Sequence, residues 1–228
     1  MELIKEWDKT FEKSAKVNHS KVTFHNRYGI TLVADMYVPK NAEGKLSAIA
    51  VSGPFGAVKE QCSGLYAQTL AERGFLTIAF DPSFTGESLG VPRNMASPDI
   101  NTEDFMAAVD FLSVQENVDA EKIGILGICG WGGMALNAAS LDTRIKATVT
   151  STMYNMSRVN ANGYFDENDN ENDRYEMKKI LNEQRIKDYK SGEYKRGGGC
   201  LPLPVPEDAP FFVKDYSEYY KGRSYHKR

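Results

Sequence analysis

The sequence has little of what several common chemistries require. Its three cysteines, Cys62, Cys129 and Cys200, are an odd number at wide spacings, and fit neither a disulfide framework nor a CxxC zinc site. Reduced thiols are the simplest reading, with no metal and no cofactor expected. A formal net charge of −3 leaves no basic surplus to neutralise a phosphate backbone, so nucleic-acid binding is disfavoured and the expected partner is a small molecule. No apolar run approaches the roughly 20 residues that span a bilayer, so no membrane association is expected. The opening Met1-Glu2-Leu3-Ile4-Lys5-Glu6 lacks the basic-then-apolar layout of a secretion signal, and a cytoplasmic location is expected. What is present is enough for a globular core: 228 residues, 41% of them hydrophobic.

Three stretches differ in pattern. In residues 1–20, Leu3, Ile4, Trp7 and Phe11 recur at the spacing of one helical face, which predicts an N-terminal helix. From Lys21 the pattern alternates, with Val22 and Phe24 before the turn Asn26-Arg27-Tyr28-Gly29 and Ile30, Leu32, Ala34, Met36 and Val38 after it, as in an antiparallel hairpin. Beyond Pro39, short apolar runs at 47–52, 75–80, 123–128 and 145–150 read as buried parallel strands. The helical patterns between them, at 59–73, 102–117 and 131–141, read as crossover helices. Thr102, Glu103 and Asp104 supply a start signal for the second helix, and Gly74 sits where the first should end. Residues 21–153 are therefore expected to form an α/β core, a three-layer αβα sandwich with a mostly parallel open sheet. Residues 154–228 are polar and tyrosine-rich, and predict a helical cap or insertion with a helix at 175–189. Phe211-Phe212-Val213 is its one short candidate strand, and Gly197 to Pro204 reads as a loop. In the acidic run, Asp166, Asn168 and Asn170 have the early spacing of a calcium loop, but Glu171 and Met177 stand where a glycine and a glutamate are needed, so a solvated loop is expected.

Chemistry concentrates in Lys122-Ile123-Gly124-Ile125-Leu126-Gly127-Ile128-Cys129-Gly130-Trp131-Gly132-Gly133-Met134-Ala135-Leu136. A buried strand enters a glycine-dense turn and leaves as a helix, the setting of a nucleophile elbow. Gly127-Ile128-Cys129 begins G-x-nucleophile-x-G with cysteine in the serine position, although Trp131 occupies the place of the final glycine. The helix N-terminus would favour the thiolate. The blander reading is a small buried cysteine that only closes a turn.

After the first parallel strand comes Ser52-Gly53-Pro54-Phe55-Gly56. In an elbow fold this loop lends one backbone N–H to the oxyanion hole, and the residue after the nucleophile lends the other. Proline has no N–H, so Phe55 and Gly130 are the candidate donors. Trp131, Met153 and Tyr154 are placed to border a cleft beyond the strand ends.

The order of hairpin, Gly53-Pro54-Phe55-Gly56, Asp81-Pro82-Ser83-Phe84-Thr85-Gly86-Glu87-Ser88 and elbow resembles the dienelactone-hydrolase-like branch of the α/β-hydrolases. Residues 127–139 are similar to bacterial hydrolases related to fungal polyketide transferases. The resemblance implies acyl transfer from an ester or thioester, with Cys129 attacking a small-molecule acyl substrate. It also implies an acid and a histidine downstream of the nucleophile, whereas only His226 lies there, with no strand before it. The fold is thus expected to be C-terminally incomplete and its activity impaired. A bare sheet edge would then favour a homodimer or a complementing C-terminal segment. Two other readings stay open: a catalytically silent remnant that binds a ligand or partner, and a nucleotide-binding module. The latter is opposed by the spacing of Gly127, Gly130, Gly132 and Gly133, which is not G-x-G-x-x-G.

Overall fold

The alternating residues on either side of Asn26 pair as expected, and the pairing runs further than the alternation. In a computed structural model, which describes residues 3–4, 6–197, 201 and 204–222, β1 (Val17–His25) lies antiparallel to β2 (Thr31–Pro39) along its full length. Asn26 closes the turn itself, its carbonyl accepting from the Gly29 N–H and its Oδ1 from the Tyr28 and Ile30 N–H groups. The apolar runs after Pro39 form β3 (Leu46–Ser52), β4 (Leu76–Phe80), β5 (Val118–Ile128) and β6 (Ile145–Ser151). Strand order is β1-β2-β4-β3-β5-β6. β2 meets β4 antiparallel, and the β4–β3, β3–β5 and β5–β6 ladders are parallel.

Helices cover both faces, because each parallel crossover has to return over the sheet. α1 (Cys62–Ala71) packs Ala67 and Ala71 onto Tyr37, Val51 and Ala79 of one face. α2 (Pro98–Ser113) and α3 (Gly130–Leu141) lie on the other, over a core that includes Leu32, Ile78, Phe80, Phe105, Ile123 and Ile125. Phe105 meets Phe80 edge-on at 5.2 Å, a favoured aromatic arrangement.

Several expectations need correction. The segment before Val17 contains no helix among its described residues. Two of its backbone N–H groups go to tertiary partners, Thr10 N–H to Glu60 O and Ser14 N–H to Gln68 Oε1, while the Trp7 indole donates locally to Phe11 O. α2 starts at Pro98, with Pro at the first helical position, four residues before the expected Thr102. Asp104, read as part of a start signal, is instead fully buried. It accepts from Asn26 Nδ2, Asn101 Nδ2, Ser83 Oγ and Ser83 N–H, tying the hairpin turn to the segment after β4.

From Met156 the chain forms a second unit. It contains α4 (Met156–Asn162), α5 (Glu171–Ser191) and α6 (Phe211–Ser217). The acidic run is used locally: Asp166 pairs with Arg158, Asp169 with Arg174, and Asn170 caps α5 by accepting from the Asn172 and Asp173 N–H groups. Phe211-Phe212-Val213 opens α6 and is not a strand, because Pro210 O accepts from the Val213 and Lys214 N–H groups. Cys200, most of the glycine- and proline-rich stretch around it, and His226 lie outside the described residues.

Candidate active site

β5 delivers Cys129 to the end of the parallel ladder. There the chain turns at φ 57° and ψ −128°, a left-handed backbone conformation that costs a non-glycine residue roughly 1–3 kcal/mol. The turn is fixed from both sides. Cys129 N–H donates to Ser151 O at 2.9 Å, Gly132 N–H donates to Cys129 O at 3.0 Å, and Tyr154 N–H reaches the same oxygen at 3.4 Å. Helix α3 starts at the next residue. Gly127 lets that helix cross tightly over the strand, since a Cβ there would stand 2.4 Å from Trp131 O. Cys129 is half-buried at the rim of the α1-side core. Cys129 therefore sits on a strained strand-to-helix turn at a helix start.

The loop after β3 rests directly on this turn. A Cβ at Gly53 would lie 2.4 Å from Ile128 O and 2.4 Å from Trp131 Cδ1, so only glycine permits the approach. The structure thus brings the Phe55 segment and Gly130 to one place. Trp131 departs from its expected role. At 3% exposure it does not border an open cleft: its ring stacks on Phe55 at 5.1 Å and 18°, and its indole N–H donates to Pro54 O at 3.2 Å. Met153 is exposed and lies against Gly132, while Tyr154 is half-buried beside the Cys129 carbonyl.

Two residues beside this turn escaped sequence reasoning. Cys62, at the start of α1, places its Sγ 3.9 Å from Gly53 O, and Tyr66 one turn later shares a 3.1 Å hydrogen bond with Ser151 Oγ. Their i, i+4 spacing is the one signal that could have paired them, but nothing in the sequence aims that helix face at the turn.

The far end of the loop is held by buried charge. Lys59 is fully buried, with Nζ 2.7 Å from Glu60, 2.8 Å from Asp81 and 2.7 Å from Glu87, while its N–H donates to Asp81 Oδ1. These three carboxylates stand close enough together to hold a cation, and the cation they hold is this ammonium. Burial alone would lower the Lys59 pKa, but the charges of Asp81, Glu60, Asp35 and Glu87 outweigh it and raise it. Burial likewise works against Glu87, yet Lys59 and Lys21 hold its carboxyl below the usual range. Glu60 goes the other way, raised by burial and then by the neighbouring Asp81.

The described histidines belong elsewhere. His19 and His25 are on β1, and His19 Nε2 is committed to Asp35 Oδ1 at 2.7 Å. β1 lies four strand positions from β5, roughly 19 Å at the usual spacing. Neither can serve Cys129 as a base.

Residues 12–163 match the PET hydrolase-like family. Across its whole length the chain is 60% identical to the uncharacterized protein PA2218 of Pseudomonas aeruginosa, of which it spans only 61%. The crystal structure of that hypothetical protein aligns with a TM-score of 0.87 at 59% identity, covering 96% of this chain and 68% of that one. The thiohydrolase aneE of Aspergillus aculeatus is 33% identical over 58% of this chain and 41% of its own. The fold is shared with the α/β hydrolase GrgF from Penicillium sp. sh18, at a TM-score of 0.64 and 21% identity over 83% of this chain and 61% of that one. The chain belongs to the PET hydrolase-like family and has the mixed six-stranded sheet and flanking helices of an α/β hydrolase.

Proposed function

We propose that this chain carries the acyl-accepting half of an ester or thioester hydrolase or acyltransferase, with Cys129 as nucleophile. The observation that carries the reading is the Cys129 backbone, held at φ 57° between the end of β5 and the start of α3. A small cysteine that merely filled the core would have no need of this conformation, whose cost recurs at functional turns. In the proposed step the thiolate sulfur attacks the acyl carbonyl and the electron pair moves onto oxygen. The Phe55 and Gly130 N–H groups receive that oxyanion, and its collapse expels the alkoxide or thiolate. The thiohydrolase name of aneE supports a thioester as the first substrate class to try.

No described histidine can reach Cys129, so with the described residues alone turnover is expected to be slow. Loss of a base costs such enzymes several orders of magnitude while donors and binding retain some rate. A further segment bringing an acid and a histidine to the β6 edge would restore turnover. The test is hydrolysis of p-nitrophenyl acetate and of a short acyl thioester by the parent chain and by Cys129→Ala. Slow turnover that vanishes in the variant is expected. Equal rates for the two proteins would leave the chain as a silent binding scaffold.

A further inference from the structure

Resting on that reading, we infer that Trp131 is a positioning residue for the oxyanion hole: it orients the peptide unit whose N–H is the Phe55 donor. Pro54 O and Phe55 N–H are the two ends of one trans peptide plane, so they point in opposite directions. The oxygen end is gripped twice, by the Trp131 indole N–H at 3.2 Å and by the Ala57 N–H at 3.2 Å. Hydrogen bonds at the carbonyl fix the direction of the N–H at the other end and polarise it toward an incoming anion. The Trp131 ring adds a second hold by stacking on Phe55, the residue that owns the N–H. Gly53 contributes a third, because its backbone lies against Trp131 Cδ1 and Ile128 O.

The arrangement gives a reason for the departure from G-x-nucleophile-x-G. A glycine at position 131 would leave the loop after β3 without this anchor. With tryptophan there, a single side chain rising from the first turn of α3 joins the nucleophile's own helix to the loop that carries the other donor. The two donors are thereby set relative to each other by one rigid indole. Preorganisation of this kind is what makes backbone donors effective, since no reorientation is needed when the oxyanion forms.

The test separates chemistry that makes an oxyanion from chemistry that does not. Acylation by p-nitrophenyl acetate forms the S–C bond through a tetrahedral oxyanion that then expels p-nitrophenolate. Alkylation by iodoacetamide forms the S–C bond as iodide leaves, with no oxyanion. Both rates at Cys129 are measured for the parent, for Trp131→Phe, and for a chain with benzothienylalanine at 131, which keeps the indole shape and removes only the N–H. Acylation is expected to fall roughly tenfold in both variants, less than the roughly 10²–10³ seen when a donor is itself deleted, with alkylation unchanged. Unchanged acylation in the benzothienylalanine chain overturns the inference, and so does a parallel fall in both rates, which marks a merely structural side chain. A parent that alkylates at Cys129 but is not acylated removes the hydrolase reading, and the positioning role with it.

Discussion

The sheet unit and the segment that begins at Met156 are stabilised by different means. The first buries aromatic and aliphatic side chains together with charged groups: Lys9, Asp35, Lys59, Glu60 and Asp81 are all within the interior. In the second, α4 and α5 bury no residue, and Tyr175, Ile180, Leu181 and Tyr189 are all exposed. α5 is held by local devices, namely the Asn170 cap, Glu171 and Asp173 in its first turn, and the Lys179–Glu176 pair at 2.9 Å. The contrast teaches where a substitution will be felt. In the sheet unit one buried ion governs the fit of several elements, whereas in α5 each contact stands nearly alone.

Removing the ion should give the largest effect. Lys59→Met removes the ammonium that Glu60, Asp81 and Glu87 share, leaving Lys21 beside Glu87 and Glu60 but Asp81 without its buried partner, and urea unfolding is expected to show a loss of roughly 3–5 kcal/mol. A loss below about 1 kcal/mol would mean the carboxylates find other partners, and the contrast would weaken. Acid gives a smaller and more specific handle. Glu87 has a lowered folded pKa, so the stability it adds is complete above the ordinary carboxylate value of about 4 and is lost as pH falls through the lowered folded value. Glu60, raised by burial and by Asp81, has the opposite sign, its contribution being lost as pH rises through its folded value. Thermal melts between pH 6 and 3 should therefore show a shallower acid decline for Glu87→Gln than for the parent. The smallest effect belongs to α5. Asn170→Ala should cost about 1 kcal/mol of local helix stability, seen as faster amide exchange in residues 172–180, with the urea midpoint of the sheet unit unmoved. A shift of that midpoint would show that the two regions unfold together.

Much of the sheet unit was legible because its strands obey simple rules. The hairpin followed from alternation around Asn26, and the four parallel strands from short apolar runs separated by helical ones. The N-terminal helix was misread because Leu3, Ile4, Trp7 and Phe11 have the right spacing, while the deciding partners, Glu60 and Gln68, lie some 50 residues away in sequence. Buried charge was illegible for a related reason. Lys59, Glu60, Asp81 and Glu87 each look like surface residues until the fold gathers them, and only then does each carboxylate gain an ammonium. At the site, glycine spacing pointed to Cys129 and Gly130, and the missing proline N–H pointed to Phe55. Trp131, expected to border a cleft beyond the strand ends, is instead turned inward against the glycine backbone at Gly53, a close approach that no local pattern announces.

The central claim is that the strained turn exists to present a reactive sulfur, and peptide mapping after brief exposure to one equivalent of p-nitrophenyl acetate tests it most directly. The account predicts a single acetyl group on Cys129, formed as p-nitrophenolate is released in equal amount. An acetyl group on Cys62 or Cys200 with Cys129 untouched, or none on any cysteine, would contradict it.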